Sequence, residues 1–103
     1  MNPKELPFKK NFFCFLLVYE FAIKNNVPKK QAILFASSSI DYAEYHKAGV
    51  EIANDVESGK TLAESLARFQ LLFPLPYVKF LGLAQASGTD ISTLINQLME
   101  YDI

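Results

Sequence analysis

Ser58-Gly59-Lys60-Thr61-Leu62-Ala63-Glu64-Ser65-Leu66 is the stretch from which the fold can be read. Ser58-Gly59 closes one helix, and Leu62, Ser65, Leu66 and Phe69 begin a stripe of helical period. A glycine there takes the left-handed conformation without a Cβ penalty. The same signature returns at Ser87-Gly88, followed by Ile91, Leu94, Ile95 and Leu98 at matching offsets. An upstream copy uses Asn25-Asn26 as the stop and Val27-Pro28 as the restart, with Ala32, Ile33 and Ala36 as its stripe. Asparagine is the next-best residue for such a cap, and proline suits a first helical turn. Each copy therefore reads as a helix that stops, turns and restarts.

Working outward, Asn11 to Lys24 reads as a first helix after a mostly extended lead-in, Met1 to Lys10. Its apolar residues nearly encircle it. Phe12, Phe15, Leu16, Tyr19 and Ile23 form one face, and Phe13, Leu17 and Phe21 another. A helix apolar on all sides must be covered on all sides. A small bundle covers only part of it, and the rest is expected to meet a second subunit, a membrane surface or a further part of the chain; Phe13, Leu17 and Phe21 are the candidate self-association residues. The aromatic residues of this helix are otherwise read as core.

Pro28 to Ser39 reads as a second helix. The low propensity of Ser37-Ser38-Ser39 predicts a break near Ile40, with Asp41 as the cap of a third helix running to Ser58. That helix carries Tyr42, Tyr45, Gly49, Ile52, Ala53 and Val56 on its inner stripe. Thr61-Leu62-Ala63-Glu64 fits a capping box and opens a fourth helix that closes before Pro74. Pro74-Leu75-Pro76 reads as a hinge. A fifth helix from Tyr77 to Ala86 uses Tyr77, Phe80, Leu81 and Ala84. A sixth, capped by Thr89 or Asp90, runs to the end. No segment alternates with period two. The expected fold is all-α: an antiparallel bundle of about six short helices in three helical hairpins. Its structural turns are at Asn26, Pro28, Gly59, Pro74 and Gly88.

Composition narrows the function. The chain has 103 residues, half of them hydrophobic, enough for one domain with one core. Ten basic and eleven acidic residues give a net charge of −1, so no basic field draws nucleic acid. The lone Cys14 makes no internal disulfide and sits among phenylalanines as an inert thiol. The apolar run from Phe12 to Ile23 is interrupted by Glu20, lacks a small-residue cleavage site and is too short to span a bilayer.

Catalytic chemistry finds no footing. His46 has no converging ligands and reads as part of a solvated helix face, and nothing orients it toward Cys14. Gly59 and Gly88 follow no strand and do not form a phosphate loop. Glu51, Asp55 and Glu57 form an acidic patch on the third helix, with Lys47 one turn before Glu51. It reads first as a solvated face with one helical ion pair, and second as a partner-docking surface centred on Glu51 and Asp55.

Four pieces now stand in order. They are Asn26-Val27-Pro28-Lys29-Lys30-Gln31-Ala32-Ile33, Gly59 to Leu66, Phe73-Pro74, and Ala84-Gln85-Ala86-Ser87-Gly88 with Ile91, Leu94 and Leu98. Together they resemble the type II secretion protein F family, the polytopic inner-membrane platform proteins of type II secretion and type IV pilus machines. The resemblance covers nearly the whole chain from Phe12 onward. It implies a non-enzymatic scaffold domain of 11–103, on the cytoplasmic side of the inner membrane; the surplus apolar face of the first helix adds the expectation of a homo-oligomer. Its partners would be an assembly ATPase, pilin and other inner-membrane assembly proteins.

The chain departs from the family pattern in three places. Asn26 stands where the family has glycine. Ala84-Gln85 stands where it has a glycine-glutamate pair. In some relatives that acidic residue is implicated in metal binding, but neutral Gln85 is a poorer ligand for a hard cation, so no metal site or cofactor is carried over. The family also has two copies of this domain and three membrane spans. One copy without a span implies an excised N-terminal cytoplasmic domain. The competing expectation is a free-standing soluble helical adaptor.

Overall fold

The repeated turns build three copies of one hydrogen-bonded motif. The computed structural model describes residues 8–100, apart from the side chain of Met99. Most of the expected lead-in and the last three residues of the expected sixth helix lie outside them. At the turn residues φ is +64° for Asn26, +113° for Gly59 and +74° for Gly88. In each copy the next residue's N–H donates back five residues: Val27 to Ala22 O (2.9 Å), Lys60 to Asp55 O (3.1 Å) and Thr89 to Ala84 O (2.8 Å). The turn residue's own N–H donates back three: Asn26 to Ile23 O, Gly59 to Val56 O and Gly88 to Gln85 O. These paired bonds are a Schellman motif, which satisfies the last carbonyls of a helix.

The three motifs join α1 (Phe8–Lys24) to α2 (Lys29–Ser38), α3 (Ala43–Glu57) to α4 (Leu62–Leu66), and α5 (Leu75–Ser87) to α6 (Ile91–Glu100). The fold is an all-helical antiparallel bundle of three hairpins. Each helix packs on the next, and α6 returns to α1. α2 against α3 is the most extensive interface.

Boundaries differ from expectation in four places. α1 starts at Phe8, so Phe8, Lys9 and Lys10 are helical rather than extended. Asp41 caps nothing: Tyr42 occupies the cap position of α3, without a side-chain cap bond. The break near Ile40 is present, and the serines cause it. Ser37, Ser38 and Ser39 donate their hydroxyls to the carbonyls of Leu34, Phe35 and Ala36, competing with continuation of the helix. His46 Nε2 reaches the Ile40 carbonyl at 2.7 Å and closes the break.

The third difference is the length of α4. It has its capping box, Glu64 N–H to Thr61 Oγ1 (3.1 Å) and Thr61 N–H to Glu64 Oε1 (3.3 Å), but spans only five residues. Beyond Leu66 the bonds tighten, with Arg68 N–H donating to Ser65 O and Phe69 N–H to Leu66 O. Continued helix through this segment would leave the carbonyls of Gln70 and Leu72 facing Pro74 and Pro76, which have no N–H. Tyr45 O–H takes the Leu72 carbonyl instead, at 2.7 Å. Fourth, the two prolines start a helix instead of making a hinge: Pro74 is the cap of α5 and Pro76 lies in its first turn, where a missing N–H costs nothing.

Phe73, fully buried at the end of that irregular segment, is the centre of the core. Its ring lies 5.2 Å from Phe15 and 5.4 Å from Tyr45, both edge to face. Leu62, Ser65, Leu66, Leu94, Ile95, Leu98, Ala32, Ile33 and Ala36 of the three stripes are buried as expected. Phe80 is 38 % exposed, and Val78 takes the inner position expected of it.

Candidate interaction surfaces

α1 has a buried face and an open one. Phe12, Phe15, Leu16 and Tyr19 are in the core. Phe13 is half-buried and stacks on Tyr77 at 6.2 Å. Leu17 is 53 % and Phe21 71 % exposed. Both border a groove of about 360 Å³ together with Glu20, Lys24 and Ser92 of α6. Of the three candidate self-association residues, the bundle thus covers one in part and leaves two open.

Glu20, which interrupts this apolar helix, is buried at the floor of the groove and is not a surface charge. Lys24 Nζ pairs with its Oε1 at 2.9 Å, Ser92 donates its hydroxyl to the same oxygen, and Lys24 also reaches Ser92 Oγ at 3.2 Å. The hydrogen bond and charge of Glu20 raise the Lys24 pKa, with Asp90 adding to it. This triad ties α1 to α6. A lone glutamate in an apolar helix, with lysine four residues on, was its visible signal; Ser92 had none.

Glu51 and Asp55 have different roles. Asp55 Oδ2 accepts from Ser65 Oγ at 2.7 Å and from Arg68 Nη1, and Lys60 Nζ lies 3.9 Å from Oδ1. Its side chain is 16 % exposed. The Ser65 hydrogen bond, with Arg68 and Lys60 beside it, holds its carboxyl below the usual carboxylate range, although burial opposes them. Asp55 therefore fastens α3 to α4, with its oxygens committed inside the domain. Ser65 was legible as a polar residue on an apolar stripe; Arg68 was not. Glu51 remains 58 % exposed, and its ion-pair partner is Arg68 at 3.6 Å, where Lys47 was expected. Glu57 pairs with Lys30 at 3.3 Å.

The remaining candidates are structural. Gln85 Oε1 accepts the Ala63 N–H at 3.4 Å, linking α5 to the start of α4. No group of three His, Cys, Asp or Glu side chains converges on a metal position among the described residues. Cys14 is half-buried rather than enclosed, with Sγ 3.5 Å from Ser39 Oγ. His46 is committed to Ile40. Burial raises the pKa of Tyr45, partly opposed by the neighbouring Asn11 amide. No described helix is long and apolar enough to cross a membrane. Comparison with known protein families, with curated proteins and with solved structures finds no match in any of the three.

Proposed function

We propose that this chain is a non-enzymatic scaffold domain of an inner-membrane platform protein, of the type that serves type IV pilus assembly or type II secretion. In this reading it lies on the cytoplasmic side of the membrane, linking an assembly ATPase to pilin assembly. The motif order in the sequence suggests the family. The observation that carries a scaffold role is the open face of α1, where Leu17 and Phe21 stand uncovered beside a groove. Large apolar side chains clustered at a surface mark sites of association. We assign self-association to that face and ATPase contact to the exposed Glu51 side of α3.

The test is light scattering across a concentration series for the native chain, Leu17→Glu and Phe21→Glu. The native chain is expected to dimerise, and each variant to remain a folded monomer, since neither side chain supports the core. Glu51→Lys should weaken capture of the cognate hexameric ATPase without altering the dimer. A native chain that stays monomeric at every concentration, or an Glu51→Lys variant that binds the ATPase unchanged, removes the corresponding surface.

A further inference from the structure

A second depression, on a different side of α1, has the opposite character. A cleft of about 280 Å³ opens where several helix ends meet. Its lining includes Tyr19 of α1, Lys29 at the start of α2, Lys60 and Thr61 of the α3–α4 turn, and Gln85 of α5. Tyr19 is only 6 % exposed, and its ring stacks on Phe15 at 6.5 Å. Yet its hydroxyl has no hydrogen-bond partner among the described residues. The ring is buried while the hydroxyl opens into the cleft, where water or a bound group can reach it. Burial raises its pKa above the ordinary phenol value.

Two lysines, an amide and the Thr61 hydroxyl supply the other polar groups around the cleft. Lys30 is paired with Glu57, and Lys60 lies within reach of Asp55. Lys29 has no ion pair among the described residues. α2, which Lys29 begins, has no side-chain cap and no acidic residue in its first turn, so its positive end is also uncompensated. Gln85 spends its carbonyl oxygen on the Ala63 N–H, which leaves its NH₂ group as a donor. A phenolic O–H, an amide NH₂ and one ammonium without an ion pair among the described residues thus border one small space.

We propose that this cleft binds a carboxylate, Lys29 supplying the charge and the Tyr19 hydroxyl and Gln85 amide supplying hydrogen bonds. One uncompensated cation matches one negative charge, which favours a carboxylate over a phosphate dianion. The group arrives either on a small free acid or on an acidic side chain of a partner polypeptide. The site is separate from the Leu17–Phe21 face and does not depend on the assembly reading.

The experiment is an NMR titration of the isotope-labelled chain with sodium acetate, against sodium chloride at matched ionic strength. The Tyr19 ring, the Gln85 side-chain amide and the Lys60 and Thr61 backbone amides should shift saturably with acetate only. Tyr19→Phe and Lys29→Gln should each weaken binding about fivefold or more, the worth of one hydrogen bond or charge contact. Tyr19→Phe should leave thermal stability unchanged, because the hydroxyl it removes has no partner. A blocked Gly-Glu-Gly peptide that binds at least as well as acetate, while its Gly-Gln-Gly counterpart is silent, identifies the side-chain source; acetate binding alone identifies the small acid. Shifts that rise linearly and equally with acetate and chloride, or affinity unchanged in a folded Tyr19→Phe chain, overturn the proposal.

Discussion

Gly49→Ala sets two known effects against each other, and the structure decides which prevails. Glycine inside a helix is worse than alanine by about 1 kcal/mol, so on helix propensity alone the substitution stabilises α3. But a Cβ at Gly49 would stand 2.0 Å from Ser37 Oγ and 2.4 Å from Ser37 Cβ. The hydroxyl can rotate away; Ser37 Cβ is fixed by the backbone of α2. Carbon atoms in contact sit about 3.5–4.0 Å apart, so the two helices must separate by more than 1 Å across their largest interface. Overpacking that moves backbone costs about 1–3 kcal/mol, and this case belongs at the upper end. The net expectation is a loss of about 2 kcal/mol, a fall in Tm of roughly 8–16 °C for a domain of this size. Urea denaturation followed by circular dichroism measures it. Ser37→Ala leaves the Cβ in place and should not rescue, whereas Ser37→Gly removes both offending atoms. The Gly49→Ala/Ser37→Gly cycle should show a favourable coupling of about 3 kcal/mol, the whole of the overpacking cost. A Gly49→Ala chain more stable than the native one would refute the close approach of α2 and α3.

Two further outcomes follow from the turns and the charges. At φ +113° Gly59 has no atom within 4 Å of a would-be Cβ, so Gly59→Ala tests backbone strain alone and should cost about 1–2 kcal/mol, whereas Asn26→Gly should be neutral or slightly stabilising; urea midpoints of both compare them. The Asp55 carboxyl has a folded pKa below its ordinary 3.8, so its contribution to stability is complete above that value and is lost as pH falls through the folded pKa. The stability gap between the native chain and Asp55→Asn should therefore be constant near neutrality and close in strong acid; a gap that persists there would show that the carboxylate charge is not its source.

Much of the fold was legible because its signals are local. A left-handed cap, a capping box and a 3.6-residue stripe each lie within one turn or one helix, so Asn26, Gly59, Gly88, Thr61 and Glu64 were readable without knowing what they would face. The misread boundaries depend on distant partners. α4 stops at Leu66 because Tyr45 takes the Leu72 carbonyl and Phe73 turns into the core against Phe15 and Tyr45, residues far away in the chain. Asp55 looked like a surface carboxylate because Ser65 and Arg68 sit in another helix and the segment after it.

The sequence by itself determined where this chain turns and which stripe of each helix is apolar, since backbone conformation and periodicity are properties of neighbouring residues. Only the tertiary structure decided which apolar face of α1 is covered, which acidic groups are already paired, and that the Tyr19 hydroxyl is left without a partner. Those outcomes depend on how three hairpins close on one another, and packing between distant segments leaves no trace in residue spacing.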